Sequence, residues 1–224
     1  MVGPTDEFEL EAKRRGYRHI AGLDEAGRGP LAGPVVAAVV ILPTRCRLHG
    51  VDDSKQVSEP ERTRLYDVIM QRARAVAVGV ATEQEIDRLN ILEATRLAMS
   101  RALASLAAPA DYLLIDAMEL PNLAIPSRSI IKGDTLSVSI ASASIVAKVM
   151  RDRMMAMYHR TYPAYNFLSH KGYGTVEHLQ RLAQHGPCAI HRRSFAPVAQ
   201  LLRGHDRMRF PARTEVGELP GTGP

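Results

Sequence analysis

Ile20-Ala-Gly-Leu-Asp-Glu-Ala-Gly-Arg-Gly-Pro30 is the stretch on which the reading of this chain turns: an apolar approach runs into two adjacent carboxylates, Asp24 and Glu25, and then a Gly-Arg-Gly turn. An apolar segment ending in acid reads as a buried strand with charge at its end. Two neighbouring negative charges are costly to bury unless a cation neutralises them, and a divalent metal is the expected cation. Gly27 and Gly29 free the backbone to approach a ligand closely, while Arg28 between them supplies a donor fork suited to phosphate. Metal beside phosphate points to phosphodiester chemistry. One tension remains: adjacent strand residues point to opposite faces, so Asp24 and Glu25 share a site only where the strand twists or ends.

Working outward, Val35-Val-Ala-Ala-Val-Val-Ile-Leu42 is short, β-branched and bounded by prolines, as expected of a second core strand forming a hairpin with the first, placed at 19–23. Tyr112-Leu-Leu-Ile-Asp116 repeats the design of an apolar strand ending in a carboxylate, and Lys132-Gly-Asp134 places a further acid in a turn. Residues 75–81 and 129–131 read as two more strands. Helices are expected over 6–15 and from Ser58, which with Glu61 forms a capping box. Thr82 and Glu85 form another box, opening a helix or helix pair that stops before Pro109. A long helix is expected over 139–159, its small residues Ala141 to Ser144 allowing close packing, and a last helix is capped by Thr175. Strands and helices alternate first and helices dominate later, an α/β pattern around a mixed sheet with acids gathered at one edge.

The length of 224 residues fits one main domain, and 46% apolar with 24% charged residues excludes a disordered chain. Twenty-nine Lys and Arg against 24 Asp and Glu give a net charge of +5, compatible with a polyanionic partner. Cys46 and Cys188 have no metal-type spacing and read as reduced thiols. The charged N-terminal stretch lacks the apolar core of a signal peptide, and the run at 35–42 is far short of the roughly 20 residues that span a bilayer. A cytoplasmic protein with no membrane partner is the expectation. Past Leu202 the arginines at 203, 207, 209 and 213 stand among Pro and Gly, so a catalytic domain over 1–203 and a flexible basic tail over 204–224 are expected.

Asp24, Glu25, Asp116 and Asp134 offer hard oxygen ligands suited to Mg2+ or Mn2+, two of which could activate a water and stabilise the leaving oxygen of an in-line phosphodiester displacement. The plain alternative makes each acid a loop cap or ion-pair partner. Asp152 competes for the fourth position but lies four residues after Lys148, the spacing of an ordinary surface ion pair, which is the preferred reading. Lys55 in Asp53-Ser-Lys55 is a candidate phosphate contact, or simply a solvated loop lysine. Tyr173, flanked by Gly172 and Gly174, could stack on a sugar or base, or be a packed turn tyrosine.

Gly22-Leu-Asp-Glu-Ala-Gly-Arg-Gly29, Asp53-Ser-Lys55, Leu114-Ile-Asp-Ala117, Lys132-Gly-Asp134, Ala143-Ser-Ile-Val-Ala-Lys-Val149 with Arg151-Asp152, and Gly172-Tyr-Gly-Thr175 occur in that order. Together they resemble bacterial ribonuclease HII, the type 2 ribonuclease H family, over about residues 17–203. The resemblance implies a ribonuclease H-like fold, a mixed central sheet flanked by helices with a C-terminal helical portion. It implies an endonuclease that cuts the RNA strand of RNA/DNA hybrids and nicks duplex DNA 5′ to an embedded ribonucleotide, leaving a 3′-hydroxyl and a 5′-phosphate. Asp24, Glu25, Asp116 and Asp134 match the metal-binding acids, with Asp134 preferred over Asp152. Gly27, Arg28 and Gly29 match the segment whose backbone reads the 2′-hydroxyl. Tyr173 matches the tyrosine that senses the ribonucleotide-to-DNA junction, and Lys55 a phosphate contact. A monomer is expected, and no clamp-binding peptide stands out after Arg203, which leaves a sliding-clamp partner open. The competing readings are another acid-cluster nuclease and a noncatalytic nucleic-acid-binding module whose acids hold a structural ion.

Overall fold

The computed structural model describes residues 3–209 apart from 45, 47, 49, 52–56 and 122, with 204–209 described in backbone only. Five strands form one sheet: β1 (Ile20–Ala26), β2 (Val35–Ile41), β3 (Ala75–Ala81), β4 (Tyr112–Asp116) and β5 (Ser127–Ile130). Their order is β3-β2-β1-β4-β5, with β1–β2 and β2–β3 antiparallel and β1–β4 and β4–β5 parallel. The expected hairpin is there, but β1 runs on past Leu23 to Ala26, which pairs with Val36, so both acids lie within the strand. Asp24 stands opposite Ala38 and Glu25 opposite Ala37, small partners that leave room beside the carboxylates.

The helices are α1 (Glu7–Arg14), α2 (Glu59–Arg72), α3 (Glu83–Leu89), α4 (Ile91–Ala104), α5 (Gly133–Leu136), α6 (Val138–Thr161), α7 (Phe167–His170), α8 (Val176–His185) and α9 (Ala196–Arg209). Every residue of β2 is buried, because both of its faces are covered. Val35, Ala37, Val39 and Ile41 face one core with Ala94, Ala98 and Met99 of α4, while Ala38 and Val40 face another with Leu65 and Ile69 of α2 and Val146 of α6. That alternation is the two-residue period of a strand dividing two apolar layers. Among the described residues no helix is long and apolar enough to cross a membrane.

Local signals act as the residue types dictate, with one exception. Thr82 accepts from the Glu85 N–H and Glu85 reaches back to the Thr82 N–H, completing the capping box of α3. Asn90, at φ 76°, splits the following stretch into α3 and α4 and caps the latter through its side-chain oxygen. At Ser58 no side-chain cap forms, and the Ser58 carbonyl accepts from the Arg62 N–H as in any first helical turn. Helix α9 continues to Arg209, past the boundary expected at 203, and residues 210–224 lie outside the described residues.

A close backbone contact lies under the opening stretch. A Cβ at Gly22 would overlap the Ser139 carbonyl group, so β1 touches the backbone of α6, as the small residues at the start of that helix allow. Gly22→Ala is therefore expected to cost about 3 kcal/mol or more, because neither backbone can move without shifting the acids. In thermal unfolding this is a drop of roughly 6–12 °C for a domain of this size. A midpoint within about 2 °C of the parent would show that strand and helix are not in backbone contact.

Candidate active site

Asp24 and Asp116 meet because β1 and β4 are parallel neighbours, paired up to Leu23 and Ile115, and each carries an acid one residue further on. Asp134 is brought over them by Lys132, whose left-handed backbone (φ 58°) turns the chain sharply into α5. The Gly133 N–H donates to Asp116 Oδ1 at 2.7 Å, tying that turn to the strand end. Each of Asp24, Asp116 and Asp134 then offers an oxygen within 4.8 Å of the other two.

Glu25 stands beside this trio rather than within it. Its carboxylate accepts from Arg28 at 3.2 Å and borders a groove of about 530 Å³ together with Asp116, Lys148, Tyr173 and residues 27–29. Asp24 is 5% exposed, and burial, then the Glu25 charge, then the Asp116 charge push it well above the usual carboxylate range. Hydrogen bonds from the Ser144 hydroxyl and the Glu25 N–H offset only part of this. Burial and mutual repulsion disfavour charge on three clustered carboxylates, and a hard divalent cation among their oxygens would offset both. The donor set contains no thiolate or imidazole.

Asp152 lies elsewhere. It pairs with Lys148 at 2.7 Å, at the expected i, i+4 spacing, and also faces Arg62 at 3.6 Å. The pair differs from expectation in that its carboxylate is buried, with Asp152 only 9% exposed. Lys55 lies outside the described residues.

The residues at 27–29 rest on two side chains that sequence reading passed over. Arg151 of α6 and Arg192 are both fully buried, and their guanidinium groups face backbone carbonyls of the 27–34 loop. Gly27 has φ 98°, and a Cβ there would overlap the Arg151 side chain. Tyr173, 42% exposed, stands over the Arg151 guanidinium, 5.8 Å from its ring centroid. A buried arginine interrupts no apolar period, and Arg192-Arg193 reads in isolation as solvated charge, so the sequence offers only the pairing of Arg151 with the quoted helix motif.

Beneath Tyr173 lies a histidine cluster, also unanticipated. His178 Nδ1 bonds the Tyr173 carbonyl at 2.8 Å, its Nε2 meets His191 Nε2 at 3.1 Å, and its ring stacks on His170 at 4.3 Å. Burial pushes His178 and His191 down to about 4, with the neighbouring imidazoles adding to the effect. Both are neutral in the fold above that pH but protonate near 6.5 when exposed. The unfolded chain thus binds more protons between pH 6.5 and 4, so the stability from this pair is complete above 6.5 and is lost as pH falls through 4. The expected loss across that window is on the order of 2–4 kcal/mol. Denaturant titrations at successive pH values would show it, and His178→Asn should flatten the profile. An equally steep profile in that variant would place the dependence elsewhere.

The described geometry has close relatives. The family model for ribonuclease HII matches residues 21–198. Ribonuclease HII of Geotalea uraniireducens is 54% identical over 200 residues, covering 89% of this chain and 93% of that protein. Among solved structures, ribonuclease H2 of Pyrococcus horikoshii superposes with a TM-score of 0.72 at 26% identity, covering 86% of this chain and 99% of that one. The Mn2+ complex of Bst ribonuclease HIII shares the fold with a TM-score of 0.67 at 21% identity, covering 88% of this chain and 73% of that one.

Proposed function

The chain belongs to the ribonuclease HII family, and from that membership and the site described above we propose that it nicks duplex DNA 5′ to embedded ribonucleotides and cuts the RNA strand of RNA/DNA hybrids by a two-metal-ion mechanism. It is a ribonuclease H, a hydrolase with the ribonuclease H-like fold. The observation that carries the finer reading is the juxtaposition of the Asp24, Asp116 and Asp134 oxygens with a groove lined by Gly27, Arg28, Gly29 and Tyr173.

In this reading Asp24, Asp116 and Asp134 hold the cations, with Glu25 as fourth ligand from the groove wall. Two Mg2+ or Mn2+ ions bound there would supply the Lewis acidity that an in-line displacement needs at its attacking and leaving oxygens. Gly133 orients Asp116 through its N–H, so a ligand oxygen keeps its direction when the second oxygen is engaged. Gly27, Arg28 and Gly29 present backbone to the sugar, where a peptide N–H can bond the 2′-hydroxyl that distinguishes RNA from DNA. Tyr173 is exposed enough to stack on the adjoining sugar or base. Lys55 is assigned a phosphate contact. Product ends of 3′-hydroxyl and 5′-phosphate follow if water, and not the 2′-hydroxyl, attacks.

The test compares an RNA/DNA hybrid, an all-RNA duplex and an all-DNA duplex, each with Mg2+, with Mn2+ and with chelator. The reading expects cutting of the hybrid's RNA strand only, and only with a divalent ion. Equal cutting of the all-DNA duplex, or cutting in chelator, would overturn it.

A further inference from the structure

The loop that carries Gly27, Arg28 and Gly29 is held from inside the protein. Arg192 donates from Nη2 to the Gly27 carbonyl at 2.5 Å, from Nη1 to the Arg28 carbonyl at 2.8 Å, and from Nε to the Gly33 carbonyl at 2.9 Å. A further bond from Nη2 reaches Pro34 at 3.2 Å. One planar guanidinium thereby spans both ends of the loop between β1 and β2. Arg151 adds bonds to the Ala32 and Pro34 carbonyls at 3.2 and 3.1 Å and to the Lys171 carbonyl at 3.0 Å. The last contact joins the loop to the segment that precedes Tyr173, and the Leu31 N–H strengthens that join by donating to the Gly172 carbonyl at 2.8 Å.

The direction of these bonds has a consequence at the surface. In a planar trans peptide the C=O and N–H point opposite ways. With the Gly27 and Arg28 carbonyls drawn inward onto Arg192, the N–H groups of Arg28 and Gly29 are directed outward, toward the groove these residues line. Without the guanidinium neither peptide has a reason to keep that orientation.

We propose that Arg192, with Arg151, is a positioning residue for sugar discrimination: it fixes the orientation of the peptide groups at residues 27–29 and locks them to the Tyr173 turn, so that ribose check and junction sensor act as one rigid reader. The inference rests on the reading of residues 27–29 as the ribose check. Burial of two like charges side by side supports a purpose beyond packing, since burial and then the Arg151 charge lower Arg192 to about 9, while Glu83 and Asp87 work against that shift. Lysine cannot replace this group, because an ammonium lacks the planar fork that reaches several carbonyls at once.

The test measures discrimination directly, as the ratio of Ki for an all-DNA duplex used as competitor to KM for the same duplex carrying one ribonucleotide. Arg192→Lys is expected to reduce that ratio about tenfold or more, the effect of losing one well-oriented hydrogen bond. Ki for the all-DNA duplex should stay within about twofold, since phosphate contacts dominate that affinity. Arg192→Ala should behave alike and regain discrimination when free guanidinium is added at a concentration that leaves the thermal midpoint unchanged. If Arg192 variants unfold, Arg151→Lys supplies the same comparison. A parent protein with a ratio near one would remove the ribose reading itself. A discriminating parent beside variants whose ratio is unchanged, or whose KM and Ki rise together without guanidinium rescue, would overturn the positioning role alone.

Discussion

Asp24→Asn is expected to lower cleavage by a factor on the order of 10³ or more, the loss that follows when several kcal/mol of charge stabilisation disappear from the transition state. Binding of the nucleic acid should persist, because phosphate contacts elsewhere on a chain of net charge +5 carry most of the affinity. The same substitution should raise the thermal midpoint. Asp24 is buried beside Glu25 and Asp116, and its carboxyl is held well above the usual range, so its ionised form is a burden on the folded state that an amide lifts. A turnover-dead variant that is more stable than its parent is the signature of an acid kept for chemistry. Asp134→Asn should match it in activity. Normal turnover in either variant would end the catalytic assignment, and loss of binding together with loss of stability would assign the acids a structural task. Calorimetry, a binding titration and initial rates on one preparation distinguish these outcomes.

Tyr173→Ala carries the second largest expected effect. Tyr173 is 42% exposed, and its backbone is tied into the fold: its carbonyl accepts from His178 Nδ1 at 2.8 Å and its N–H donates to the His170 carbonyl at 2.9 Å. Removing the ring should leave the thermal midpoint nearly unchanged. Nicking at a single embedded ribonucleotide should fall about 10- to 100-fold, the range of one lost stacking contact. Tyr173→Phe should recover most of that loss if the ring face makes the contact. Unchanged nicking in the alanine variant would remove Tyr173 from substrate recognition, and a large fall in midpoint would mark it as a packing residue.

What the sequence made legible and what it hid divide along physical lines. Acids at the ends of apolar strands are visible because burial next to charge is unusual, and Asp24, Asp116 and Asp134 do converge. The tension over Asp24 and Glu25 was real as well: β1 stays regular through both, and Glu25 comes to the groove wall beside Arg28 instead of joining the trio. Asp152 had the spacing of an ion pair and makes one, but spacing says nothing of burial, and its carboxylate is buried facing Arg62 as well. Arg151 and Arg192 stayed hidden for a different reason. Their partners are backbone carbonyls, which every residue has, so no side-chain pattern announces them. The histidines under Tyr173 are likewise separated in sequence and meet only through the packing of α7, α8 and the segment at 188–191.

The ends left at a single embedded ribonucleotide test the central claim most directly. A DNA duplex with one ribonucleotide and a label on either side, incubated with Mg2+ or Mn2+, should yield one nick 5′ to that ribonucleotide, with a 3′-hydroxyl on the upstream piece and a 5′-phosphate on the downstream piece. That result requires water as nucleophile at the acid cluster and the 2′-hydroxyl as a recognised group only. A nick on the 3′ side with a cyclic 2′,3′-phosphate would show the 2′-hydroxyl attacking in its place, and would contradict the account.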